Sequence, residues 1–259
     1  MTTTEHRIEF HESLEQLRSD VVRLGALAVE TIAVGTAALL DRDLHAAQQL
    51  IDRDDVIDIL TLEIEEACIN LLALQNPMAG DLRMIISSLR VTTELERSAD
   101  LMVNIAKASR RIYDVTIDPA VRGLIEDMSL EAAAITRKAI DSYSRSDEGL
   151  AAALDDIDDR LDEMQVDFVE AVFAAKQASE LSLRSAVQLA LIGRFYERIG
   201  DHAVNIGERV TYMVSGWLPE HAAVARRELR GKNEAVAAGG AESAGGEPAG
   251  LDPEGYQST

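Results

Sequence analysis

Two short motifs carry the residues that could do chemistry. Glu96 and Asp100 stand four apart, with Asn104 four residues further on; Glu197, Asp201 and Asn205 repeat the pattern. On a helix this spacing puts both carboxylates on one face, one turn apart, with the amide a turn beyond. Like charges so placed repel each other. Among 46 acidic residues a single such pair would ordinarily lie on a solvated face. These two recur at an equal interval: 197 follows 96, 201 follows 100 and 205 follows 104, each by 101 residues. The same interval carries Arg83 onto Arg184, Asp54-Asp55 onto Asp155-Asp156, and Asp58 onto Asp159.

A repeat of this kind marks a duplicated structural unit. Hydrophobic residues recur at spacings of three and four, as at Leu14, Leu17, Val21, Leu24 and Ala28, and predict long amphipathic helices. Six are expected, over about 10–40, 44–74, 78–113, 119–143, 147–176 and 180–215. Gln75-Asn76-Pro77 and Asp118-Pro119 supply turn signals. No segment alternates with period two over a useful length. The expected fold is all-α: two tandem three-helix bundles, over 1–116 and 117–216, with neighbouring helices antiparallel. Residues 217–259, rich in Gly, Ala, Glu, Ser and Pro, are expected to form a disordered acidic tail. A small basic patch (Arg226, Arg227, Arg230, Lys232) precedes its most biased part.

Antiparallel pairing supplies the motifs with company. A turn near residue 76 sets Glu96 level with position 57 and Asp100 level with position 53, beside Asp55 and Asp58. A turn near 178 sets Glu197 and Asp201 beside Asp156 and Asp159. Four carboxylates in each half would repel strongly unless cations or protons intervene. All-oxygen clusters suit hard or borderline cations such as Mg, Mn, Fe or Zn. Arg97 and Arg198, inside the motifs, offer neutralisation by salt bridges instead.

Composition narrows the function. A net charge of −21 argues against a nucleic-acid binder. The lone Cys68 forms no internal disulfide and fits a reducing, cytoplasmic setting. The first nine residues carry no apolar signal core. The longest uncharged run, 67–80, is too short to span a bilayer and contains Pro77, so no transmembrane segment is expected. A di-iron oxidase on a helical bundle needs Glu-x-x-His pairs. None of the five histidines (6, 11, 45, 202, 221) has Glu three residues before it. There is no nucleophile motif and no glycine-rich phosphate loop. A carboxylate-bridged metalloenzyme and a metal-free helical adaptor remain as the rival readings.

Three stretches together resemble a known family. Pro77-Met78-Ala79-Gly80-Asp81-Leu82-Arg83, Glu94-Leu95-Glu96-Arg97-Ser98-Ala99-Asp100 and Tyr196-Glu197-Arg198-Ile199-Gly200-Asp201-His202-Ala203-Val204-Asn205-Ile206 resemble the PhoU regulators of phosphate uptake, over roughly 10–216. The resemblance implies two three-helix bundles and multinuclear metal clusters on the duplicated motifs. It implies a non-enzymatic negative regulator that contacts the ATPase subunit of a phosphate ABC transporter and a sensor histidine kinase, with a homodimer as the expected assembly. By position Glu96, Asp100, Glu197 and Asp201 inherit the ligand role, joined by Asp55, Asp58, Asp156 and Asp159. Ser98-Ala99 departs from the commoner Ile-Gly, which the second copy retains as Ile199-Gly200.

Overall fold

A computed structural model describes residues 3–75, 77–178 and 181–217. The acidic tail expected after Trp217, with its basic patch, lies outside the described residues. Among those described, all regular structure is helical: α1 (Thr3–Leu40), α2 (Leu44–Asp52), α3 (Asp54–Gln75), α4 (Gly80–Ser109), α5 (Pro119–Arg145), α6 (Glu148–Ala152), α7 (Leu154–Ala178) and α8 (Leu183–Ser215). The six expected helices are present. The second and fifth are each interrupted at one residue, Arg53 and Ala153, which cap the short helices α2 and α6. The breaks have a local cause. Aspartate is a poor interior helix residue but is stabilised where free N–H groups and the helix dipole meet it. Asp54 and Asp55 open α3, and Asp155 and Asp156 open α7. Asp43, Asp118, Asp147 and Ser182 cap α2, α5, α6 and α8 through their side-chain oxygens, as short polar residues do.

The two repeats interlock. One core joins Leu14–Ala28 of α1 to Ile57–Leu71 of α3, Met84–Ala99 of α4, Ile135–Tyr143 of α5 and Ala203–Met213 of α8. The other joins Ile32–Leu40 of α1 to the ends of α4 and α5 that the first leaves out, and to α7 and the start of α8. Each core therefore draws on both copies. α4 and α8 run antiparallel across the boundary. Arg83 Nε donates to the Met213 carbonyl (3.2 Å), and Ser87 Oγ to that of Arg209 (3.1 Å). α1 and α5 do the same: Arg18 donates to Ser144 O (3.0 Å) near one end, and Thr36 Oγ1 meets Ser129 Oγ (2.8 Å) near the other.

α1 is long and apolar and runs through both cores. By length and composition it is apolar enough to cross a membrane, which a search for uncharged runs misses because Glu30 interrupts the stretch. Its apolar side chains instead supply both cores, with Leu17, Leu24 and Ile32 almost fully buried.

Gly207 sets how closely α8 approaches α6 and the start of α7. A Cβ on Gly207 would lie 2.7 Å from the Ala151 carbonyl oxygen and 2.8 Å from Leu154 Cδ1. The first obstacle is backbone and cannot swing aside. Gly207→Val is expected to lower stability by about 2–3 kcal/mol. Gly123 lies inside α5 with nothing within 4 Å of its would-be Cβ. Gly123→Ala is therefore expected to raise stability by up to about 1 kcal/mol. Urea unfolding of the two variants separates the cases; equal effects would mean that α8 can move away from α6.

Candidate metal centres

In the second half, Asp155, Asp158, Asp159 and Asp162 project from one face of α7, at i, i+3, i+4 and i+7. Asp201 faces them from α8. These five aspartates, with Val204 and Asn205, line an open cavity of about 460 Å³. Asp158 is the most deeply placed, only 8% exposed, and its Oδ1 has no hydrogen-bond partner. Burial, followed by the charges of Asp162, Asp201, Asp155 and Asp159, pushes its carboxyl up to about 7. Asp162 is raised by burial and then by Asp201, against the opposing charge of Arg194.

The first half is sparser. Burial and then the charges of Asp100 and Asp58 raise Asp54, with Lys107 opposing. Burial, Asp100 and Asp58 likewise raise Glu96, with Arg97 opposing. This places Asp54, Asp58, Glu96 and Asp100 in one electrostatic neighbourhood between α3 and α4. The copies differ at the centre. Ile57 and Thr61 stand at the repeat positions of Asp158 and Asp162, and Ala99 at that of Gly200. Gly200 makes room for Asp158: a Cβ there would lie 2.9 Å from Leu161 Cδ2 and 3.1 Å from the Asp158 carboxyl carbon.

The eight expected residues fall out as follows. Asp58, Glu96 and Asp100 share the first neighbourhood, and Asp159 and Asp201 line the second cavity. Asp55 is exposed and is the weakest of the charges acting on Asp54. Asp156 is exposed and does not line the cavity. Glu197 is buried and does not line it either; its Oε1 pairs with Arg194, while Oε2 has no partner. The acids that sequence reasoning missed are Asp54, Asp155, Asp158 and Asp162. Level-by-level matching of antiparallel helices gives height along the bundle but not rotation about each axis. The i, i+3, i+4, i+7 run at 155, 158, 159 and 162 was the signal for that rotation.

The donors fit a hard cation by type, since every one is a carboxylate or amide oxygen, and the unpartnered Asp158 Oδ1 is the kind of atom such an ion would satisfy. They are not drawn into a ready-made shell: among the described residues no three Asp, Glu, His or Cys side chains already converge as a metal site.

A separate polar contact crosses the repeats beside these acids. His202 Nδ1 donates to Glu94 Oε2 at 2.7 Å, and Asn205 Nδ2 donates to the same oxygen at 3.1 Å. Burial raises Glu94, but these two hydrogen bonds and the charges of His202 and Arg97 outweigh it and hold the carboxyl below its ordinary range.

The described residues form an internally duplicated helical body with acidic side chains gathered in each copy. Residues 21–109 and 125–210 each match the PhoU domain. The chain is 36% identical over 214 residues to phosphate-specific transport system accessory protein PhoU homolog 1 of Mycobacterium tuberculosis, covering 82% of this chain and 96% of the relative. It is 30% identical to the PhoU homolog of Caulobacter vibrioides, covering 82% and 93%. The crystal structure of PhoU from Pseudomonas aeruginosa superposes with a TM-score of 0.75 at 28% identity, covering 80% of this chain and all of that one. The phosphate transport system regulatory protein PhoU from Streptococcus pneumoniae gives 0.74 at 27%, covering 81% and 98%. The chain belongs to the PhoU family, whose members are non-enzymatic accessory regulators of phosphate transport.

Proposed function

We propose that the protein is a cytoplasmic negative regulator of phosphate uptake and of phosphate-starvation signalling. It acts by contact, on the ATPase subunit of a phosphate ABC transporter and on a sensor histidine kinase, with a homodimer as its assembly. Family membership over both repeats supports the regulatory role. The observation that supports metal binding as part of that role is the gathering of carboxylates in each half, five aspartates around one cavity in the second and four acids in the first.

Divalent or trivalent cations, Mg, Mn, Fe or Zn, are the groups such faces would hold. Asp155, Asp158, Asp159, Asp162 and Asp201 would serve the second site, and Asp54, Asp58, Glu96 and Asp100 the first. A bound ion would offset the mutual repulsion of each cluster and tie α7 to α8, or α3 to α4. Glu197 fits the alternative reading, neutralisation by a salt bridge, since Arg194 already pairs with it.

Two measurements test the proposal. Asp100→Ala and Asp201→Ala are each expected to lower the metal that copurifies with the chain, and the double variant to abolish most of it. Glu12→Ala, an exposed acid of α1, should change nothing. Bound metal should also be released as pH falls, because protonated carboxylates are poor ligands. Deleting the gene should raise phosphate-starvation transcripts in phosphate-rich medium. Unchanged metal content in the double variant would remove the metal sites; unchanged transcripts, in a strain without a second copy, would remove the regulatory role.

A further inference from the structure

Three cations cluster at the end of α4, and one of them, Lys107, also acts on the charge of Asp54 in the first acidic neighbourhood. Lys107, Arg110 and Arg111 together line one open pocket of about 340 Å³. All three are exposed, and among the described residues none has a carboxylate at ion-pair distance. In a chain with 46 acids and 25 bases, three clustered cations with no carboxylate at ion-pair distance run against composition. Basic residues favour the last turn of a helix, which accounts for their position but not for how they are held.

Arg110 Nη1 donates to Gln48 Oε1 of α2 at 2.9 Å, and Arg111 Nη1 to Gln188 Oε1 of α8 at 3.2 Å. A neutral amide oxygen orients a guanidinium without cancelling its charge, and leaves most of the fork of N–H donors free. The chain geometry spreads the forks. The Arg111 amide bonds the Ala108 carbonyl and that of Ile112 the Ser109 carbonyl, a tightened last turn. From it, one arginine reaches an element of the first repeat and the other an element of the second. Lys107, three and four residues earlier, shares their face.

The feature is also absent from the duplication. The repeat positions of Lys107, Arg110 and Arg111 are Glu208, Thr211 and Tyr212. The pocket is therefore not a by-product of the repeated architecture.

We infer that this pocket binds a phosphoryl oxyanion, through the forks of Arg110 and Arg111 with Lys107 as a point charge. Two arginines matched to tetrahedral oxygens and a lysine are the chemistry that recognises such a group. The group is either free inorganic phosphate or the phosphoryl end of a small organic phosphate. The inference does not rest on metal binding or on the protein partners proposed above; Lys107 alone is shared with the acidic clusters, through its charge on Asp54.

The test is titration of the full chain, stripped of metal with a chelator and dialysed, at low ionic strength. Inorganic phosphate and adenosine monophosphate are added separately, followed by calorimetry and by the chemical shifts of arginine side chains. The expected result is a saturable response that the double variant R110Q/R111Q weakens at least about tenfold. K107Q should weaken it less, and D201N should not alter it. A response to phosphate assigns the free anion. A response to adenosine monophosphate alone supports the site and assigns the phosphoryl group to an organic carrier. R111K keeps the charge and loses the fork, so a partial loss there shows that geometry and not a folding defect is responsible. No saturable response to either compound overturns the inference, as does a response that R110Q/R111Q leaves intact or that D201N removes.

Discussion

Asp158→Asn is expected to make the metal-free protein more stable, most at pH 8, clearly less at pH 5 and hardly at all at pH 3. The sign follows from where the proton sits. Burial and four neighbouring aspartates push the folded carboxyl up to about 7, against 3.8 for an ordinary one. Between those values the folded state holds a proton that the unfolded chain has released. Stability therefore falls as pH rises from about 4 to about 7, and the whole penalty is present above that window. The difference corresponds to at most about 4 kcal/mol, reduced because Asp155, Asp159, Asp162 and Asp201 share the titration. An amide cannot ionise, so the substitution removes the penalty. A divalent cation should reverse the order, favouring the parent chain over the variant at pH 8. Urea unfolding at the three pH values, with chelator and with added Mg or Mn, reads both effects. Equal shifts at pH 5 and pH 8 would mean that Asp158 titrates as a solvated carboxylate.

Tyr196→Ala is expected to cost about 3–5 kcal/mol, the range for emptying a large aromatic from a packed core. Tyr196 is completely buried on α8, and its hydroxyl meets Thr36 Oγ1 of α1 at 2.7 Å, which in turn meets Ser129 Oγ of α5. Three helices from both repeats thus close on one ring. Tyr196→Phe separates the ring from its hydroxyl. Thr36 keeps Ser129 and the Ile32 carbonyl as partners, so the expected cost is only about 1 kcal/mol. Thermal or urea unfolding distinguishes the two variants. A loss in the phenylalanine variant as large as in the alanine variant would transfer the importance from packing to the hydroxyl chain.

The helices and the duplication were legible because both are written in spacing. Apolar residues at three and four mark each helix, and the interval of 101 residues ties Glu96, Asp100 and Asn104 to Glu197, Asp201 and Asn205. What escaped was rotational and asymmetric. Asp156 sits at the right height on α7 but on the wrong side, whereas Asp155 and Asp158 face the cavity. Ile57 opposite Asp158, and Thr61 opposite Asp162, break the repeat where the second cluster is richest. The Glu94–His202–Asn205 contact obeys no repeat rule. Its members occupy unrelated positions in the two copies, since Phe195 answers Glu94 and Leu101 answers His202. The breaks at Arg53 and Ala153 were hidden for the opposite reason, because the apolar period continues across them.

The sharing of each core between copies has a consequence for the chain's origin. A polypeptide of half this length, ending near residue 116, would leave the inner face of α4 without the α8 side chains that cover it, Ala203, Ile206 and Val210. Such a half could bury that face only against another molecule of itself, in the antiparallel arrangement that α4 and α8 now adopt. Its folding would then depend on how much of it the cell made. Joining two halves end to end replaces that encounter with an internal one, at an effective concentration fixed by the connection between α4 and α5. Once joined, the halves no longer had to be identical. Lys107 could diverge from Glu208, and Ile57 from Asp158, without every change appearing twice.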